Sequence, residues 1–258
     1  MGAEVYFGLV YCHYRQRPWF SLLQDHLLPF YPYGSKLSMV DGRKHLSYNI
    51  AIFSPGGFSM SVRMAVLGDT PEILDIYAPY VQNTAISFEY TVPTREAFAQ
   101  RFLDITRQFP WLVWEEDGRL LGYAYGSLPF ERTAYQWCAE ASIYLRPEAQ
   151  GRGIGKALYT VLEELLRLQG YCKVYAIITT ANTHSLGFHE AVGYRFTAQM
   201  PCCGYKLGQW HGTVWMEKDL NVSPSPENAP VSTETIVKTD RNLSDILAKI
   251  PLSFPQEI

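Results

Sequence analysis

A chain of 258 residues, 47% hydrophobic and 18% charged with a net charge of −3, describes an ordinary globular protein with no bulk basic field for nucleic acid or an anionic membrane. No apolar run approaches the ~18 residues of a membrane span, and the short apolar stretch from Val5 to Cys12 lacks the basic start and small-residue cleavage site of a signal peptide. Five cysteines, odd in number and without a CxxC pair, exclude a disulfide framework, offer no metal site, and suit a cytoplasmic protein with reduced thiols.

In chain order, residues 1–59 form an aromatic-rich amino-terminal extension with no sustained helical or alternating period, for which no stable fold is expected. Met60-Ser61-Val62-Arg63 begins a strand-like segment directly, so Met60 is read as a candidate natural start. Residues 60–220 then alternate. Val62 to Val66 reads as a strand, and Asp69-Thr70-Pro71-Glu72 starts a helix with a cap, an early proline and an acid. Thr94 opens a second helix carrying Phe98, Phe102 and Ile105. Residues 111–115 and 119–127 are strands joined at Asp117-Gly118, a hairpin signal. A strand over 138–145 leads into a glycine-rich turn and a long amphipathic helix stopped by Gly170. A strand over 174–178, a helix over 183–192 and closing strands over 194–199 and 212–218 complete the pattern, with Cys202 and Cys203 expected as packing residues at a strand end. This order predicts an α/β fold with a mixed sheet and helices on both faces. Residues 221–258 read as a proline-rich linker and a tail, where Leu243, Ile246, Leu247 and Ile250 share one face of a short helix.

The turn Gln150-Gly151-Arg152-Gly153-Ile154-Gly155-Lys156 is the strongest chemical signal. Its glycines permit positive φ and close approach of a ligand to the backbone. The following helix start offers unpaired N–H donors and a partial positive charge, so an anion is favoured there. A dinucleotide fingerprint fails because Lys156 occupies the place of its third glycine, and a Walker loop fails at Gln150 and Ala157. On its own the turn supports a pyrophosphate ligand, or a tight turn with none.

The pattern Gln150-x-x-Gly153-x-Gly155, after a strand and before an amphipathic helix, resembles the acetyl-CoA motif of the GNAT N-acetyltransferases. Residues from about 62 to 220 are further similar to the phosphinothricin and methionine sulfone (sulfoximine) acetyltransferase subgroup. The pieces that carry this are Thr84 to Phe88, Phe109 to Val113, Arg132 to Tyr135, Glu140 to Leu145, Asn182 to Ser185, His189 to Tyr194 and Gly204 to His211, in that order. The resemblance implies the GNAT acyl-CoA fold and acetyl-CoA as co-substrate. It implies that the backbone of Ile143, Tyr144 and Leu145 pairs with the pantetheine arm, that Gln150 to Lys156 wrap the pyrophosphate, and that Asn182 and Ser185 touch the cofactor. A homodimer is implied in the same way.

Acetyl transfer to an amine needs a neutral nucleophile, close approach and a proton for the leaving thiolate. Glu140, at the start of the cofactor strand, is the candidate general base; its plain structural alternative is a salt bridge with Arg132. His189, on the helix after Asn182, is the candidate acid, and a lone helical histidine with a packing role is the alternative. Phe88, Arg132, Tyr135 and Trp210 are carried over as acceptor-pocket residues, with Arg132 suited to a substrate carboxylate. The expected activity is N-acetylation of a small amino-acid-like acceptor. A protein or peptide N-acetyltransferase and a silent acetyl-CoA-binding module are the alternatives.

Overall fold

The computed structural model describes residues 49–53, 59–221 and 228–239. Its strands are β1 (Asn49–Phe53), β2 (Ser59–Met64), β3 (Trp111–Glu116), β4 (Arg119–Ser127), β5 (Cys138–Leu145), β6 (Lys173–Thr179), β7 (Arg195–Lys206) and β8 (Gln209–Asp219). Its helices are α1 (Thr70–Asn83), α2 (Arg95–Thr106), α3 (Ile154–Gln169), α4 (Thr183–Ala191) and α5 (Thr233–Thr239). The strands form one sheet in the order β1-β2-β3-β4-β5-β6-β8-β7. Every neighbouring pair is antiparallel except β5–β6.

Each face of the sheet has its own core. Leu158, Leu162, Leu165 and Leu166 recur at helical spacing along α3 and are sealed against Val62, Leu112, Ala141, Val174 and Met216. Burying each such leucine stabilises the fold by roughly 1.5–3 kcal/mol. On the other face, Ile73, Tyr77 and Val81 of α1 and Phe98 and Phe102 of α2 pack on Trp111, Val113 and Tyr123. Gly153 and Gly170, both in left-handed conformation, bound α3 at its two ends. Asp117 and Gly118 both take positive φ, the type I′ geometry that their pairing in the sequence demands.

Three expectations differ from what is observed. β1, whose backbone pairs with β2 from Asn49↔Arg63 to Phe53↔Ser59, lies inside the 1–59 extension, and β2 begins at Ser59, one residue before Met60. Residues 1–48 and 54–58 lie outside the described residues. Asp69 precedes α1 but makes no side-chain cap; its carboxylate instead takes the Val66 amide at 2.8 Å and the Arg63 guanidinium at 2.7 Å. The closing strands are one long hairpin, β7–β8, turned at Leu207-Gly208, and Cys202 and Cys203 sit within β7 at a bulge between Met200 and Gly204. Pro201 and the absence of alternation hid this strand, because nearly all of β7 is exposed on both faces.

The carboxy-terminal segment docks on the domain. Gln169, at the end of α3, donates to the carbonyls of Gln108 (2.6 Å) and Val231 (2.9 Å). Trp137 donates to the Asn228 carbonyl at 3.2 Å, and Ile236 of α5 is buried in the α3-side core. The tail-helix expectation over Leu243 to Ile250 lies outside the described residues. No helix of the described residues is long and apolar enough to cross a membrane.

Candidate active site

The parallel pairing of β5 with β6 covers three residues, from Cys138↔Lys173 to Glu140↔Tyr175. Beyond Glu140 the strands separate, while residues 140–145 stay paired with β4. The separation opens a cleft lined by Ser142, Ile143, Tyr144, Ile177, Asn182 and Ser185, among others. A strand edge free of its neighbour presents unpaired N–H and C=O groups, which an extended ligand arm satisfies by pairing like another strand.

The glycine turn follows β5 along the chain and leads into α3. Pro147–Ala149 forms a single 3-10 turn, then Gly151 (φ 75°) and Gly153 (φ 81°) reverse the chain into α3. Nothing stands within 4 Å of where a Gly151 Cβ would be, so φ and not crowding selects glycine there. Gly155 is selected by space: a Cβ would meet Phe188 at 3.3 Å and Ile143 at 3.4 Å. Ile154 is buried, Lys156 is exposed, and Arg152 holds Glu116 of β3 through contacts of 2.9 and 3.0 Å. Gln150 reaches the Tyr80 hydroxyl at 3.4 Å, which itself donates to the Leu145 carbonyl at 2.5 Å. The two expected α4 residues also meet: Asn182 caps the helix through the Ser185 amide.

Two titratable groups flank the cleft from opposite faces of β5. Successive strand residues point to opposite sides, and Ala139 and Ala141 belong to the α3 side while Tyr144 packs on the α1–α2 side. Glu140 therefore lies on the α1–α2 side, with Ser142. Among the described residues its carboxylate has no salt-bridge or hydrogen-bond partner, and burial pushes its pKa from 4.5 up to about 7. The bridge to Arg132 is not formed; Arg132 is exposed in the turn before β5.

His189 lies on the α3 side and is 2% exposed. Its Nδ1 is 2.7 Å from the Ser185 carbonyl, so Nδ1 carries the proton. Nε2 is 3.0 Å from the Tyr159 hydroxyl and accepts from it. Burial drives the histidine pKa down from 6.5 to about 4, which keeps the ring neutral near pH 7. The single hydroxyl proton of Tyr159, also a lining residue, is thus committed to Nε2, with the Ala141 carbonyl at 3.3 Å as its other acceptor. Tyr159 escaped the sequence reading because it sits at a helix position that periodicity assigns to the core.

The acceptor residues divide. Phe88 lies on β7: a Cβ built on Gly204 would stand 2.4 Å from its ring, so only glycine permits the contact. Tyr135 packs at a tilt on Phe130, whose ring stacks on Trp215, along the sheet face that Glu140 shares with Tyr175. Trp210 is 64% exposed and packs on Tyr205. The Tyr205↔Trp210 pair alternates with Gly204↔His211, so Trp210 projects from the hairpin face opposite Phe88. The structure does not bring it to the others.

Comparison with known proteins gives this geometry its family. Residues 62–215 match the acetyltransferase (GNAT) domain. The chain belongs to the GNAT acetyltransferases. Among relatives of this GNAT chain, a phosphinothricin N-acetyltransferase of Streptomyces viridochromogenes is 30% identical over 173 residues, covering 67% of this chain and 94% of the relative. An L-methionine sulfoximine/L-methionine sulfone acetyltransferase of Pseudomonas aeruginosa is 37% identical over 172 residues, covering 65% and 97%. The crystal structure of a phosphinothricin acetyltransferase from Sinorhizobium meliloti in complex with AcCoA superposes with a TM-score of 0.62 at 36% identity, covering 65% of this chain and 94% of that one. The GNAT domain is thus the central portion, and residues before 62 lie outside the matched range.

Proposed function

We propose that this chain transfers the acetyl group of acetyl-CoA to the amino group of a small amino-acid-like acceptor of the methionine sulfone, methionine sulfoximine or phosphinothricin type. The observation that carries the reading is the uncompensated Glu140 carboxylate at the point where β5 and β6 part, with a pKa near the working pH. The residues present suit the donor. An open β5 edge over 141–145 suits a pantetheine arm, and the Gly151–Gly155 backbone at the α3 start suits a pyrophosphate.

Acetyl-CoA supplies an activated acyl group that an amine attacks once neutral. Glu140, ionised above about pH 7, takes the ammonium proton on the α1–α2 side of the sheet. On the α3 side, neutral His189 accepts the single Tyr159 proton, so that pair fixes the cleft wall and supplies no acid. The departing thiolate takes its proton from solvent as the amine nitrogen becomes an amide. The β7–β8 hairpin is fastened to the loop after α1 by the Tyr90 hydroxyl on the Tyr205 carbonyl, which favours a small acceptor over an extended peptide.

The test is thiol release from acetyl-CoA with a panel containing methionine sulfone, methionine sulfoximine, phosphinothricin, simple amines and short peptides. Acetylation of the amino-acid analogues is expected. If no amine is acetylated while acetyl-CoA still raises the melting temperature, the chain is a binding module and the proposal fails.

A further inference from the structure

The β7–β8 hairpin buries a cation that no carboxylate neutralises. Lys206 is 4% exposed, and its ammonium donates to a single acceptor, the Ser87 carbonyl, at 2.5 Å. An ammonium carries three donors, and among the described residues no carboxylate lies within salt-bridge distance of this one. Glu89, the acid nearest in sequence to Ser87, is committed to Arg101 at 2.6 Å. Buried charges in proteins are ordinarily paired, because removing an ammonium from water without compensation costs several kcal/mol. Burial accordingly pushes the Lys206 pKa down, against a weaker opposing pull from Glu89.

The position of this cation is informative. Gly204, His211 and Lys206 share one face of the hairpin, and that face meets the segment Ile86-Ser87-Phe88. Ile86 is itself a wall of the cleft beside Ser142, and Ser142 lies two residues from Glu140 on the same face of β5. Phe88 fixes the hairpin from the side through Gly204, and His211 ties the Lys206 backbone by donating from Nε2 to its carbonyl at 3.0 Å. Lys206 is thus held on the carbonyl of Ser87, the residue next to the Ile86 wall, and that wall shares its cleft with Ser142, two residues from Glu140.

Resting on the reading that the acceptor is amino-acid-like, we infer that Lys206 is the cation that receives the acceptor's α-carboxylate. An α-amino acid has its amine and carboxylate on adjacent carbons, so one group held at Lys206 orients the other toward Glu140. Arg132, the carboxylate partner expected from sequence, is exposed where water screens it, and a desolvated ammonium discriminates more strongly.

The experiment compares methionine sulfone with the amine that lacks its carboxylate, 3-(methylsulfonyl)propylamine, in the parent chain and in Lys206→Gln and Lys206→Arg. The parent should prefer the amino acid by roughly 10- to 100-fold in kcat/KM, the scale of one charge-assisted hydrogen bond. Lys206→Gln, which keeps a donor for Ser87, should lose that preference by lowering kcat/KM for the amino acid alone, and Lys206→Arg should restore part of it. Equal losses for both acceptors would show a mere latch between hairpin and loop and would overturn the inference, as would an unchanged preference in Lys206→Gln. A parent chain that acetylates neither compound sinks the functional reading itself, and this inference with it; turnover without discrimination sinks this inference alone.

Discussion

The two halves of the cleft are built by different means. The donor half uses backbone: an open strand edge, a turn of positive-φ glycines and the first amides of α3. The proposed acceptor half would draw on side chains from distant segments: Phe88 after α1, Glu140 on β5, Lys206 on β7 and the rings of Phe130, Tyr175 and Trp215. Backbone donors are fixed wherever the chain takes that path, whereas side chains are exchanged without changing the path. One scaffold can therefore keep its donor and vary its acceptor.

The comparison predicts that damage on the two sides separates kinetically. The largest effect is expected from Glu140→Gln: turnover should fall about 10²- to 10⁴-fold with acetyl-CoA affinity unchanged, as measured by thiol release and by equilibrium titration. In the parent, kcat/KM should rise with pH through about 7, where Glu140 ionises, and the variant should lack that rise. An unshifted profile in the variant removes Glu140 as the base.

The same residue should reveal its cost in stability. Free glutamate ionises near 4.5 and Glu140 near 7, so its burial favours the neutral form. The stabilisation is whole below about pH 4.5 and is lost as pH rises through about 7, a difference of roughly 3 kcal/mol. Glu140→Gln should then gain stability over the parent at pH 8 and gain nothing at pH 4. Denaturant unfolding at the two pH values checks this, and an equal effect at both would contradict it.

A control outside both halves is Gln169→Ala, which removes the shortest hydrogen bond to each of the Gln108 and Val231 carbonyls and loosens the tail. A loss of about 1–3 kcal/mol is expected, with kcat for the acceptor intact; a fall in kcat would tie the tail to catalysis. The smallest effect is expected from Gly153→Ala, which places a Cβ at φ 81°. That should cost roughly 1–2 kcal/mol and weaken acetyl-CoA while leaving acceptor KM alone. A change in acceptor KM would erase the distinction between the halves.

The same contrast explains what could be read beforehand. The donor half is contiguous from Cys138 to Gly170, so strand, turn and amphipathic helix are visible in a single window. The acceptor half joins residues more than 100 positions apart, as with Ser87 and Lys206, and nothing local marks such a meeting. Tyr159 passes for core because it is core, and His189, the candidate acid of the sequence, is buried with it; their mutual hydrogen bond beside the cleft sets the pair apart. Trp210, carried over by resemblance, stands on the hairpin face opposite Phe88, a placement set by the β7–β8 register and invisible in a local window.

The bulge in β7 has a consequence for how this chain behaves among its own copies. β7 is the last strand of the sheet, twelve residues long and exposed, the kind of edge on which a foreign strand can grow. Pro201 brings no N–H to that edge, and Cys202, at φ 51°, turns the backbone out of line. The free edge is thereby cut into two short runs on either side of residues 201–203. An irregularity that obscured the strand in the sequence is a guard against runaway strand addition.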